Sequence, residues 1–84
     1  MDKKNYATLG RYIFNKRRWK RTSQAELAMY LGISRVTLSH IENDKVKPRV
    51  DVAHKLSVFL GFPFSIYYYY EELELKKLTE NLSG

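Results

Sequence analysis

Eighty-four residues make room for one domain, near the lower end of what buries a self-sufficient core. The chain is 44% hydrophobic and 14% aromatic, too apolar for a disordered tail, and has no cysteine for a disulfide framework or a thiolate metal site. Its net charge of +6 divides unevenly: residues 1–49 hold twelve Lys or Arg against four Asp or Glu, residues 50–84 three against five, so a basic front able to neutralise phosphates joins a mildly acidic rear.

Met1 to Arg21 lacks the sustained apolar core of a signal peptide, and no segment reads as a membrane span. A soluble cytoplasmic domain is expected. Tyr6 to about Lys20 forms the first predicted helix, with Tyr6, Leu9, Ile13 and Phe14 on an apolar stripe and Arg11, Lys16 and Arg18 off it. Trp19 is expected to pack under this helix. Thr22 and Ser23 offer N-cap oxygens to the next, and Glu26, three residues after Ser23, completes a capping box. Leu27, Ala28 and Leu31 give this second helix its apolar side, and Gly32 can stop it in a left-handed conformation. Ser34 caps a third helix, Arg35 to about Glu42. So short a turn, led by glycine, makes the two helices cross steeply as a helix-turn-helix unit.

The stretch NDKVKP is a connector that leads through Pro48 into a fourth helix. Val50, Ala53, Leu56, Ser57 and Leu60 are expected on its buried side, with Gly61 as its stop. Ser65 can cap a last helix running through Ile66, Tyr70 and Leu73, extended by Leu75, Leu78 and Leu82. Tyr67 to Tyr70 are four consecutive tyrosines, which on a helix point in four directions and cannot all be buried in one small monomer. Packing in a homodimer suits them better than stacking on single-stranded bases, because this end of the chain is acidic. With no strand pattern, repeat or linker, residues 1–84 read as a single all-α domain of five helices.

The third helix carries the most informative pattern. Leu38 and Ile41 lie three apart and face inward, leaving Arg35, Val36, Ser39 and His40 pointing away from the core. A helix presented this way fits the major groove of double-stranded DNA. The planar fork of Arg35 suits guanine O6 and N7, Val36 suits a thymine methyl, and His40 can donate to guanine N7 or to phosphate. Ser39 belongs with these base-facing residues, and Thr37 can reach a phosphate oxygen. Lys45, Lys47 and Arg49 form a basic strip after this helix, and Arg18, Lys20 and Arg21 another before the second helix. Such strips supply affinity with little sequence information. An enzyme has little to stand on: His40 and His54 have no matching ligands or acid–base partners, and no phosphate loop or nucleophile stands out. No metal or cofactor is expected.

The run SQAELAMYLGISRVTLSHIENDKVKP, continued without gaps through KLSVFLGFPF, resembles the Cro-type phage-repressor helix-turn-helix family, also called the XRE family. The resemblance implies a lambda-repressor-like DNA-binding domain over about residues 9–67, with 68–84 as a C-terminal helical extension. It implies a transcriptional regulator in the cytoplasm and nucleoid, binding double-stranded DNA as a homodimer on a palindromic operator. By position, Gln24 corresponds to a glutamine that contacts phosphate and braces the first recognition residue. Arg17 and Glu42 correspond to a structural ion pair. The family pairs through its fourth and fifth helices, which implicates Val50, Phe62 and Phe64 beside Tyr67 and Tyr70. The alternative is an antitoxin-like or adaptor module, held to another protein through the aromatic C-terminal region. Two departures stand out: Asp44 replaces a glycine, setting a carboxylate beside the expected DNA backbone, and Arg21-Thr22 replace a Gly-Leu pair.

Overall fold

The first three helices each start where a side chain can receive a free backbone N–H. Thr8 accepts from the Arg11 N–H and opens α1, Leu9–Trp19. Ser23 and Glu26 form a complete capping box on α2, Gln24–Leu31, and Gly32 closes that helix at φ 73°. Ser34 caps α3, Arg35–Glu42, through the Thr37 N–H. Helix α4, Val50–Leu60, begins two residues after Pro48 and ends at Gly61, and α5 spans Ser65–Ser83. The computed structural model describes residues 7–83, with side chains as far as Glu80. Tyr6 and the Leu82 side chain, expected on the first and last helices, lie outside the described part.

The result is the all-α, five-helix architecture read from the sequence, with no strand among the described residues. Ile13, Leu27, Leu31, Leu38, Ile41 and Leu56 form the centre of one core, to which α1 to α4 all contribute. At about 25 cal/mol per Å² of apolar surface, this burial is the main force holding four short helices together.

Four apolar expectations are corrected by the packing. Val50 is exposed, and Val52 takes the inner place beside Ala53, Leu56, Ser57 and Leu60. At 100° per residue, Val50 lies about a quarter-turn off that face. Trp19 does not pack under α1: it is 85% exposed. The inner face of that helix is Gly10, Ile13 and Arg17, and Trp19 falls on nearly the opposite side. Phe62 and Tyr70, expected at a dimer interface, are buried in their own core. Their rings meet Tyr12 of α1 at centroid distances of 5.2 and 5.8 Å.

Candidate nucleic-acid interface

Helix α3 is fastened to the domain at its C-terminal end. The Glu42 carboxylate is buried, yet all its contacts are favourable: it accepts from Arg17 Nε at 2.7 Å, from a second Arg17 nitrogen at 3.1 Å and from Gln24 Nε2 at 2.9 Å. Arg17 also donates to the Thr22 carbonyl at 2.9 Å. One buried ion pair thus ties α1, the α1–α2 turn, α2 and α3 together. Its desolvation cost is offset only because each donor and acceptor is used.

A second pair of contacts joins α1 and α3 in both directions. Asp44 accepts the Gly10 N–H at 3.0 Å and the Thr8 hydroxyl at 2.5 Å, placing a negative charge at the positive end of α1. Arg11 donates its Nε to the Glu42 carbonyl at 3.0 Å, donates a terminal nitrogen to the same carbonyl, and reaches Asn43 Oδ1 at 3.3 Å. That places a positive charge at the negative end of α3. Each charge complements the dipole of the helix it meets. The two backbones approach closely here: a Cβ on Gly10 would lie 2.5 Å from the Ile41 carbonyl oxygen and 2.8 Å from that of Glu42.

With its inner side held, α3 turns the other side outward. Arg35, Val36, Thr37 and His40 are all exposed, and Ser39 is half-buried. Among the described residues, the Arg35 and His40 side chains pair with nothing. The Thr37 hydroxyl accepts from Ser34 at 2.8 Å, and Ser39 meets Asn43 Nδ2 at 3.4 Å. Lys45 and Arg49 are exposed at either end of the α3–α4 connector. Arg18 is exposed on α1, its guanidinium 5.4 Å from the Phe14 ring centroid. Two members of the expected basic set point elsewhere. The Lys47 ammonium is 2.6 Å from a Glu74 carboxylate oxygen and 3.4 Å from one of Glu71, both on α5. Its hydrogen bond to Glu74 holds its pKa above the ordinary lysine value. Lys20 donates to the Phe59 carbonyl and lies over that ring.

The family model described as Helix-turn-helix matches residues 13–67, more than half of the chain. The chain belongs to the helix-turn-helix family, and to its XRE type. It is also 33% identical over 58 residues to the ImmF control region 10 kDa protein of Bacillus phage phi105, a match covering 69% of this chain. The aligned part is 64% of that phage protein, so the chain spans just under two thirds of its relative's length.

Within the helix-turn-helix frame, the two departures acquire a common cause. Arg21 and Asp44 are the non-glycine residues with positive φ among those described, at 56° and 60°. Both keep the left-handed backbone for which glycine is the natural residue, at a cost of roughly 1–2 kcal/mol each. Asp44 recovers part of that cost by capping α1 through the Thr8 hydroxyl and the Gly10 N–H. Arg21 has no such contact among the described residues. Thr8, Gly10, Arg11 and Asn43, which complete the α1–α3 junction, carry no obvious motif. The one local sign is a glycine inside a helical pattern, which marks a close backbone approach.

Proposed function

We propose that this helix-turn-helix protein is a sequence-specific regulator that binds double-stranded DNA with α3 in the major groove. The observation that carries the reading is the contrast between the two sides of α3. Its inner side is fixed by Leu38, Ile41 and Glu42, while Arg35 and His40 are exposed on the outer side with no partner among the described residues. The helix backbone beneath Arg35 is already fixed, so binding need order only the side chain, whose planar fork suits bidentate recognition of guanine. Arg35, Val36, Ser39 and His40 are assigned to base edges. Gln24, Thr37, Arg18, Lys45 and Arg49 are assigned to phosphates, with the first N–H groups of α2 and α3. The Gln24 amide nitrogen donates to Glu42 and braces the α2–α3 junction, which leaves its second N–H to reach a phosphate.

The protein acts as a homodimer whose two α3 helices enter successive major grooves about one helical turn apart, on a two-fold-symmetric site. With Phe62 and Tyr70 committed to the core, the dimer surface comprises Val50, Phe64, Tyr67 and the neighbouring Tyr68. Phe64, Tyr67 and Tyr68 already form one aromatic cluster, with centroids 5.4 to 5.8 Å apart. Blocking or recruiting polymerase at such a site regulates transcription, in the cytoplasm where the nucleoid lies. The phage relative's description as a control-region protein agrees with this role.

Binding isotherms on labelled duplexes over a salt series test the reading. Log K should fall linearly with log salt, with a slope of about −0.9 per phosphate neutralised. Arg35→Ala should lose affinity for the preferred site and keep nonspecific affinity and slope. Equal losses on both kinds of DNA would remove the base contact.

A further inference from the structure

Among the residues of α3 assigned to base edges, Ser39 differs from Arg35 and His40, because its hydroxyl already meets another side chain. Asn43, the residue that ends α3, donates its amide nitrogen to the Ser39 carbonyl at 2.8 Å and to Ser39 Oγ at 3.4 Å. The other end of that amide is also taken: Arg11 of α1 donates a terminal guanidinium nitrogen to Asn43 Oδ1 at 3.3 Å. Turning the amide over would set its oxygen against the Ser39 carbonyl and its N–H groups against the guanidinium. Both neighbours therefore impose one orientation. Arg11 is itself held, with Nε on the Glu42 carbonyl at 3.0 Å and its guanidinium 4.6 Å from the Phe14 ring centroid. It also precedes the matched family region, which starts at residue 13.

We infer that Arg11 is a positioning residue for base reading: through Asn43 it makes Ser39 a hydrogen-bond donor toward the groove. The inference rests on the DNA reading above and adds how one contact acquires its sign. A free serine hydroxyl can donate to one base and accept from another. Here the Asn43 N–H is aimed at Oγ, so the hydroxyl hydrogen turns away from it. Among the described residues, that hydroxyl donates to no carbonyl of its own helix. The hydrogen is left for an acceptor in the major groove: guanine O6 or N7, adenine N7 or thymine O4. A donor such as cytosine N4 leaves it unsatisfied in a desolvated site, and should lower affinity about three- to tenfold.

Site selection and competition binding with the full chain and its variants test the inference. Ser39→Ala should relax one position of each half-site, where the wild type prefers an acceptor edge. Arg11→Met and Asn43→Ala should relax that same position by a similar factor and leave the position read by Arg35 unchanged. Asn43→Asp keeps an acceptor for Arg11 but presents oxygen to Ser39, whose hydroxyl then donates inward, and the preference should be lost. Combining Ser39→Ala with Arg11→Met should relax the position no further than Ser39→Ala alone. Affinity ratios between duplexes, taken well below the melting temperature, exclude a merely structural role, which would weaken every duplex alike. If Arg11→Met and Asn43→Asp weaken all duplexes equally and keep the preference at the Ser39 position, the inference is overturned and the DNA reading stands. The same follows if Ser39→Ala returns the wild-type motif. A wild type that enriches no motif overturns the DNA reading and the inference with it.

Discussion

Asp44 Oδ1 accepts the Gly10 N–H at 3.0 Å, so the residue just beyond α3 caps α1. The same aspartate holds a left-handed φ of 60°. Two opposite effects therefore meet at one position, and they separate by mutation. Asp44→Gly relieves the backbone but removes the carboxylate from the end of α1, and should lower stability by about 1 kcal/mol. Arg21→Gly relieves a φ of 56° with no cap to lose. It should raise stability by up to about 1 kcal/mol, after the extra freedom of glycine in the unfolded chain is subtracted. Urea denaturation of the two variants checks the contrast. A stabilising Asp44→Gly would show that the cap contributes less than the strain.

Gly10 should tolerate no side chain. A methyl group there meets two backbone carbonyls of the α3 end and Asp44 Oδ1 at 2.5 to 2.8 Å. Relief requires α1 to move away from α3, so Gly10→Ala should cost about 1–3 kcal/mol. Thermal melts report the loss. Because this junction holds α3, the element proposed to read DNA, DNA affinity measured well below the melting temperature should fall as well.

Glu42→Gln leaves the buried Arg17 guanidinium without its counter-charge and removes an anionic acceptor from Gln24. Breaking such a pair from one side costs about 3–5 kcal/mol, a large part of the total stability of a domain this size. The double replacement Arg17→Met with Glu42→Leu should cost less than either single change, because no unpaired charge remains. A double-mutant cycle by denaturant unfolding measures the coupling.

How much of this was legible in the sequence depends on how local each cause is. The caps at Ser23, Glu26 and Ser34 act over three residues, so reading them needs no knowledge of the fold. The outward residues of α3 follow from helical phase once Leu38 and Ile41 are placed. Trp19, Phe62 and Tyr70 are different: which aromatic ring is buried depends on where α1 and α5 meet, and Tyr12 decides it. The direction of Lys47 likewise depends on α5 passing close to the α3–α4 connector, twenty-four residues further along the chain. The α1–α3 junction was missed because Arg11 looks like any solvated helix cation until Glu42 and Asn43 are brought beneath it.

Lys47 gives a prediction of its own. Glu71 and Glu74 hold its ammonium, and a phosphate must compete with them. Glu71→Gln with Glu74→Gln should free the side chain, raise DNA affinity at low salt and steepen the salt dependence by up to about one unit per protomer. Lys47→Ala alone should change wild-type binding less than Lys45→Ala, whose ammonium has no such partner among the described residues. An unchanged slope in the double glutamine variant would mean that Lys47 reaches no phosphate even when released.

The most direct measurement of the central claim is selection of binding sites from random duplexes by the pure protein at one stated salt concentration, repeated with Arg35→Ala. The expected result for the wild type is an enriched two-fold-symmetric motif with a guanine at one position of each half-site. Arg35→Ala should return the same motif with that position relaxed. Recovery of no enriched motif, or of an identical motif from both proteins, would contradict the assignment of α3 as the element that reads DNA through Arg35.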